Sequence, residues 1–142
     1  MTFPVRAITL DLDDTLWPFA PIGARVEQTL DAFLRAHSPA TADMYPIEKM
    51  RELRTRVFAG NPHLLHDLAA LRQLTIETAL RDSGGDPGLL DAAYEVFYAE
   101  RNKVEYYPDS LAALARIAAR VPVAAVTNGN ADLDRVGIGH LF

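Results

Sequence analysis

Cysteine is absent from the chain, which excludes a disulfide framework, a thiolate zinc site and a thiol nucleophile, and suits a reducing cytoplasm. Lysine is nearly absent too, with only Lys49 and Lys103. The 14 basic residues face 19 acidic ones, giving a net charge of −5, and they are scattered. With no basic tract to follow a phosphate backbone, nucleic acid is not an expected partner. Long apolar runs are missing as well. The segment from Met1 to Leu10 turns apolar only at about Val5, carries Arg6 and ends in acids at Asp11, too short for a signal or membrane segment. The expectation is a cytoplasmic protein that does not engage a membrane. No Walker loop, no Gly-x-Ser-x-Gly elbow and no dinucleotide glycine fingerprint occurs.

What remains is ordinary globular composition, 49% hydrophobic and 23% charged, in a length of 142 residues that by itself suggests one domain. The apolar pattern divides it differently. Val5 to Leu10 reads as a short buried strand halted by Asp11, Asp13 and Asp14, followed by a loop carrying Pro18 and Pro21. From about Gly23 the period becomes helical. Val26, Leu30, Phe33 and Leu34 mark one helix, Ile47, Met50, Leu53 and Val57 a second. Leu64, Leu68 and Leu71 mark a third, running to Arg81 before Ser83-Gly84-Gly85, and Leu90, Ala93, Phe97 and Val104 a fourth. Asp109 is a suitable N-cap for a fifth helix, and Val121 to Val126 reads as a parallel strand covered on both faces. A helical block of about eighty residues between two such strands is too long for a crossover. The expected architecture is therefore α/β: a Rossmann-like core, incomplete in this chain, from residues 1–20 and 107–142, with an all-helical domain, 21–106, inserted.

Ligands of open α/β sheets gather beyond the carboxyl ends of the strands. Here those ends carry Asp11-Leu12-Asp13-Asp14-Thr15 and Thr127-Asn128-Gly129. Asp11 with its carboxylate and Asp13 with a backbone carbonyl suit a hard cation such as magnesium. A carboxylate beside such a cation can attack phosphorus, which makes Asp11 the candidate nucleophile. A second carboxyl group nearby can protonate the leaving alkoxide and then deprotonate the hydrolytic water, which makes Asp13 the candidate acid and base. Thr127 offers a hydroxyl, and the amides of Asn128 and Gly129 can point at phosphate oxygens. Thr15 is expected to brace the nucleophile loop through its hydroxyl; Asp14 is given no chemistry.

The run Asp11-Leu12-Asp13-Asp14-Thr15-Leu16 resembles the first motif of the haloacid dehalogenase superfamily, and Val126-Thr127-Asn128-Gly129-Asn130 resembles its second. The resemblance implies a Rossmann-like core with a helical cap between the two motifs. It places the nucleophile at Asp11, the acid and base at Asp13 and the phosphate-binding hydroxyl at Thr127, with Mg2+ as cofactor. Dehalogenases of the superfamily lack the second Asp, because a halide leaves without a proton, so Asp13 favours phosphate-ester hydrolysis. Ala7 to Leu16 and the stretch through Asn130 are similar in more detail to the bacterial flavin mononucleotide phosphatase branch. That implies a small phosphorylated metabolite as substrate, such as flavin mononucleotide or the phosphorylated ribitylaminouracil precursor of riboflavin.

The family also uses a lysine beyond the second motif and an acidic pair further on. Lys49 and Lys103 both precede Thr127, only thirteen residues follow Gly129, and Asp132 and Asp134 come too soon after it. Two strands cannot make the five- or six-stranded sheet of such a core. The expectation is a truncated, split or incompletely recorded protein, weakly active by itself and prone to self-association through uncovered strand faces. Two other functions stay open: a non-catalytic remnant that binds phosphate or a partner, and a phosphomutase, which would keep the same Asp pair. A calcium loop starting at Asp11 fails on Leu16 and Ile22 where glycine and glutamate belong. His63 and His66, three apart on an expected helix, lack the surroundings of a zinc-protease motif. Arg51, Arg54 and Arg56 read as a solvated helix face in preference to an anion-steering one, and Trp17 as packing in preference to a ring stacked on a flavin.

Overall fold

In the computed structural model, which describes residues 4–142, Ile8–Leu10 forms β1 and Val123–Ala125 forms β2. They pair in parallel with Ile8 opposite Val123, Thr9 opposite Ala124 and Leu10 opposite Ala125. Both strands are shorter than the apolar runs that suggested them. Backbone bonds from Ile8 to the Pro122 carbonyl (3.0 Å) and from Val126 to the Leu10 carbonyl (2.8 Å) close the pairing at either end. Coverage on both faces, suggested by the apolar run of β2, is not found, and the uncovered strand faces expected of this chain by itself are. Val123 is buried, whereas Thr9 and Ala124 are exposed and Val126 is 63% exposed. A continuous apolar run reports a strand's tolerance for burial on both sides, but burial itself needs a layer on each side.

The chain divides into two compact units, one of Met1–Ile22 with Arg101–Phe142, the other of Gly23–Glu100. The first unit holds both strands, helix α6 (Ser110–Ala118) and the short helix α7 (Leu133–Val136). Its buried side chains include Leu12, Leu16, Trp17, Leu114, Val123 and Ile138. Asp109 precedes α6 as expected, yet its side chain makes no capping bond. Instead the Ser110 hydroxyl donates to the Leu16 carbonyl (2.9 Å), which ties the start of α6 to the first acidic loop.

The second unit is helical. It takes most of α1 (Phe19–His37), then α2 (Pro39–Met44), α3 (Ile47–Gly60), α4 (Leu68–Ser83) and α5 (Leu90–Arg101) up to Glu100. The first of these begins earlier than Gly23, because Pro21 falls in its first turn, where a missing N–H costs nothing. Val26, Leu30 and Leu34 recur on one face of α1 and are buried, as are Met50, Leu53 and Val57 of α3. Leu64 lies outside α4, in a 3-10 turn at Pro62–Leu64, since Asp67 caps α4 by accepting from the Ala70 amide (2.9 Å). The helix stops at Gly84, in the left-handed region at φ 69°. Val104 likewise falls beyond α5. His63 sits in the 3-10 helix and His66 in the turn after it, both exposed, so they do not share a helix face.

Among the charged residues of this unit, Glu27 is the hub. Arg51 donates to it from Nη2 at 2.6 Å, and Arg54 lies 3.7 Å away. The hydrogen bond from Arg51 holds the Glu27 carboxyl below its ordinary value of 4.5, against the opposing effect of burial and with the charges of Arg51 and Arg54 adding. A carboxyl whose folded value is depressed contributes stability above its unfolded value and loses it as the pH falls through and below that value. Urea midpoints of this chain should therefore drop more steeply in the wild type than in Glu27→Gln as the pH falls below the ordinary carboxylate range. Parallel slopes for the two proteins would remove Glu27 from the account.

Candidate active site

Both motifs singled out in the sequence lie in the unit that contains the strands, one after each strand end. After β1 the chain does not run on extended. Leu12 accepts backbone bonds from Thr15 (3.1 Å) and Leu16 (2.8 Å), and Asp14 donates to the Trp17 carbonyl (2.7 Å). This turn puts Asp14 at φ 58°, a left-handed conformation that Asp tolerates better than most residues. The Asp14 carboxylate accepts from the Phe19 amide (2.9 Å) at the start of α1, so its role is structural. Leu12, Leu16 and Trp17 point inward and are buried, which leaves Asp11 exposed and Asp13 partly so.

Asp11 uses one carboxylate oxygen to accept from the Leu12 amide (2.7 Å) and presents its remaining lone pairs outward. Asp13 is held from both sides. Its Oδ1 accepts from the Trp17 indole N–H at 2.8 Å, and its Oδ2 from Arg101 Nη2 at 2.6 Å. Its side chain stays 18% exposed. Trp17 is completely buried, edge-on to Tyr106 with ring centroids 5.6 Å apart, which settles its role as packing plus a hydrogen bond to the carboxylate. Thr15 contributes a backbone bond; its hydroxyl, expected to brace the loop, takes no hydrogen bond among the described residues.

The second motif meets the first at Gly129. A Cβ built there would collide with Asp13 Oδ2 and lie 3.0 Å from Arg101 Nη2 and 3.4 Å from Thr127 Oγ1. Glycine is required here by closeness to the carboxylate, since its backbone conformation is not left-handed. The Gly129 amide donates to the Thr127 hydroxyl oxygen at 3.0 Å, which folds the turn and leaves the hydroxyl proton available. Asn128 is exposed. Asn130 accepts from Arg101 Nε at 3.2 Å, and Asn102 accepts from the Asp132 amide at 2.7 Å. Asp132 in turn caps α7 through the amides of Asp134 and Arg135, a use that the sequence did not announce.

Asp11, Asp13, Thr127 and Gly129 thus belong to one small region together with Asn130 of the second motif, while Arg101 and Asn102 are its unannounced members. Arg101 carries no local signal: it is one arginine at the end of an amphipathic helix, 88 residues from Asp13 in sequence. A cation here could be offered the Asp11 carboxylate and backbone carbonyls of the loop, hard oxygens of the kind magnesium takes. Among the described residues no three His, Asp or Glu side chains converge.

This arrangement belongs to a known family. Residues 5–142 match the haloacid dehalogenase-like hydrolases, and the chain is a member of that family. It is 30% identical over 142 residues to the 5-amino-6-(5-phospho-D-ribitylamino)uracil phosphatase YigB of Escherichia coli, covering 97% of this chain and 59% of that protein. The fold is similar to that of a 2-haloacid dehalogenase from Pseudomonas syringae, at 34% identity and a TM-score of 0.88, over 98% of this chain and 62% of the other. It is also similar, at 17% identity and a TM-score of 0.60, to YfnB of Bacillus subtilis, over 96% of this chain and 62% of that one. The chain therefore spans about three-fifths of the length of these relatives. No helix among the described residues is long and apolar enough to cross a membrane.

Proposed function

We propose that this chain is the nucleophile-bearing portion of a magnesium-dependent phosphomonoesterase that acts on a small phosphorylated metabolite in the cytoplasm. The observation that carries the reading is Asp13, a carboxylate anchored on both oxygens and pressed against the Gly129 turn. A halide departs without a proton, so an enzyme that only displaced halide would have no use for a group held in this way. Asp13 thus sets the chain apart from the activity named for its Pseudomonas syringae relative and aligns it with the phosphatase of Escherichia coli.

In this reading the Asp11 carboxylate attacks phosphorus and forms an aspartyl phosphate as the ester P–O bond breaks, while Asp13, which enters the cycle protonated, gives its proton to the departing alkoxide. Asp13 then takes a proton from the water that hydrolyses the aspartyl phosphate, returning Asp11. The Thr127 hydroxyl and the amides of Asn128 and Gly129 receive the phosphate oxygens. The Asp11 carboxylate and the Asp13 carbonyl would hold magnesium, whose charge would offset repulsion between the attacking carboxylate and the phosphate. The helical unit, Gly23–Glu100, acts as a cap that sets specificity. Its substrates are the ribitylaminouracil phosphate named for the Escherichia coli relative, and flavin mononucleotide as the resemblance implies.

The family's later lysine and acidic pair are not among these 142 residues, so the activity belongs to the full-length protein and the present chain is weakly active or inert. The test is magnesium-dependent phosphate release from both substrates and an aryl phosphate, alongside chloride release from a 2-chloroacid. Phosphate release by the full-length protein and none of chloride is the expected result. Chloride release, or return of phosphate to a sugar acceptor without net hydrolysis, would replace this reading by a dehalogenase or a mutase. An inert full-length protein that still binds phosphate would make it a remnant.

A further inference from the structure

Arg101 is the most constrained polar side chain in the unit that carries the motifs. Its side chain is 3% exposed, and its Cζ lies 5.3 Å from the centre of the Phe19 ring. Nη2 binds Asp13 and Nε binds Asn130, so one planar group grips the loop after β1 and the loop after β2 together. Burying a guanidinium costs several kcal/mol unless its donors are matched, and here Nη1 is buried with no hydrogen-bond partner among the described residues. A side chain kept at that cost for stability alone is poorly explained, because an apolar residue of similar length would fill the space without leaving a donor unmatched.

We propose that Arg101 is a positioning residue for the acid and base Asp13, a proposal that rests on the phosphatase reading above. The carboxylate must meet first a departing oxygen and then a water, so it has to hold one orientation through both halves of the reaction. Trp17 fixes one oxygen and Arg101 the other, and the second bond of Arg101, to Asn130, fixes the guanidinium itself. Arg101 touches neither phosphorus nor the leaving group. Its absence therefore changes turnover and not the binding of substrate phosphate. Lysine, a single point charge, can replace one of its two grips but not both.

The experiment compares Arg101→Met, Arg101→Lys, Asp13→Asn and the double variant Asp13→Asn/Arg101→Met in the full-length protein with an alkyl phosphate. Arg101→Met should lower kcat about 10- to 100-fold with KM changed less than about threefold, and Arg101→Lys should recover part of the loss. On the Asp13→Asn background the Met substitution should cost less than about twofold more, because the group it orients is already gone. A kcat within about twofold of wild type for Arg101→Met, a loss seen only in KM, or a full additional loss in the double variant would each overturn the proposal. Should Arg101→Met not fold, Arg101→Lys decides alone, since it keeps the buried charge: undiminished kcat sinks the idea, a selective kcat loss supports it. If Asp13→Asn is as active as wild type, the phosphatase reading fails and takes this inference with it. If Asp13→Asn is inert while Arg101→Met is fully active, only the inference fails.

Discussion

Full-length protein carrying Asp11→Asn should release phosphate more slowly than wild type by a factor on the order of 10⁴ or more, with any substrate and any concentration of magnesium. The amide is a poor nucleophile and lacks the charge that binds a hard cation, so one substitution removes both roles proposed for the residue. The fold should be untouched. Asp11 is exposed, and the one structural bond its side chain makes is accepted from the Leu12 amide by Oδ1, which the asparagine oxygen can accept equally well. Thermal midpoints should therefore agree between the two proteins. Binding of substrate phosphate should hold or tighten, because a negative charge facing the phosphate has been removed. Substantial residual hydrolysis would mean that water attacks phosphorus directly, and Asp11 would then be at most a metal ligand.

The reach of the sequence can be traced residue by residue. Asp11, Asp13, Thr127 and Gly129 were legible because a short strand's carboxyl end is a local feature, and two such ends of a parallel sheet must lie on the same side. That the two strands run parallel in one sheet was legible for the same reason, though not their direct pairing, as were the buried stripes of α1 and α3. Arg101 was not, since its partners Asp13 and Asn130 are far from it in the chain and nothing local separates it from a solvated helix residue. Trp17 was placed correctly in the interior, but its bond to Asp13 depends on the tight turn of residues 12–17, which only the left-handed Asp14 permits. The helix boundaries failed where capping overrode periodicity. Leu64 has the right spacing for α4, yet Asp67 starts the helix after it. Exposure of the strands was legible from their number, since two strands supply too little of a sheet to be covered, although the apolar run of β2 taken alone suggested coverage.

Gly129 joins these threads, and its replacement by alanine should carry the second large effect. The added Cβ would collide with Asp13 Oδ2 and approach Arg101 Nη2 to 3.0 Å, and neither group can step aside. Asp13 is anchored by a fully buried Trp17 on one oxygen, and Arg101 is itself buried and bonded to Asn130. The strain must go into the turn or into the carboxylate. Gly129→Ala should therefore lose about 1–3 kcal/mol of stability, measurable in urea melts of the 142-residue chain, and on the order of 100-fold in kcat of the full-length protein. A double variant tells strain from a general weakness of the turn. Asp13→Ala removes the carboxylate that the new methyl group strikes, so Gly129→Ala should cost much less stability on that background than on the wild type. Equal costs on both backgrounds would place the strain elsewhere, and no cost on either would mean that the two motifs do not press together at Gly129 as described.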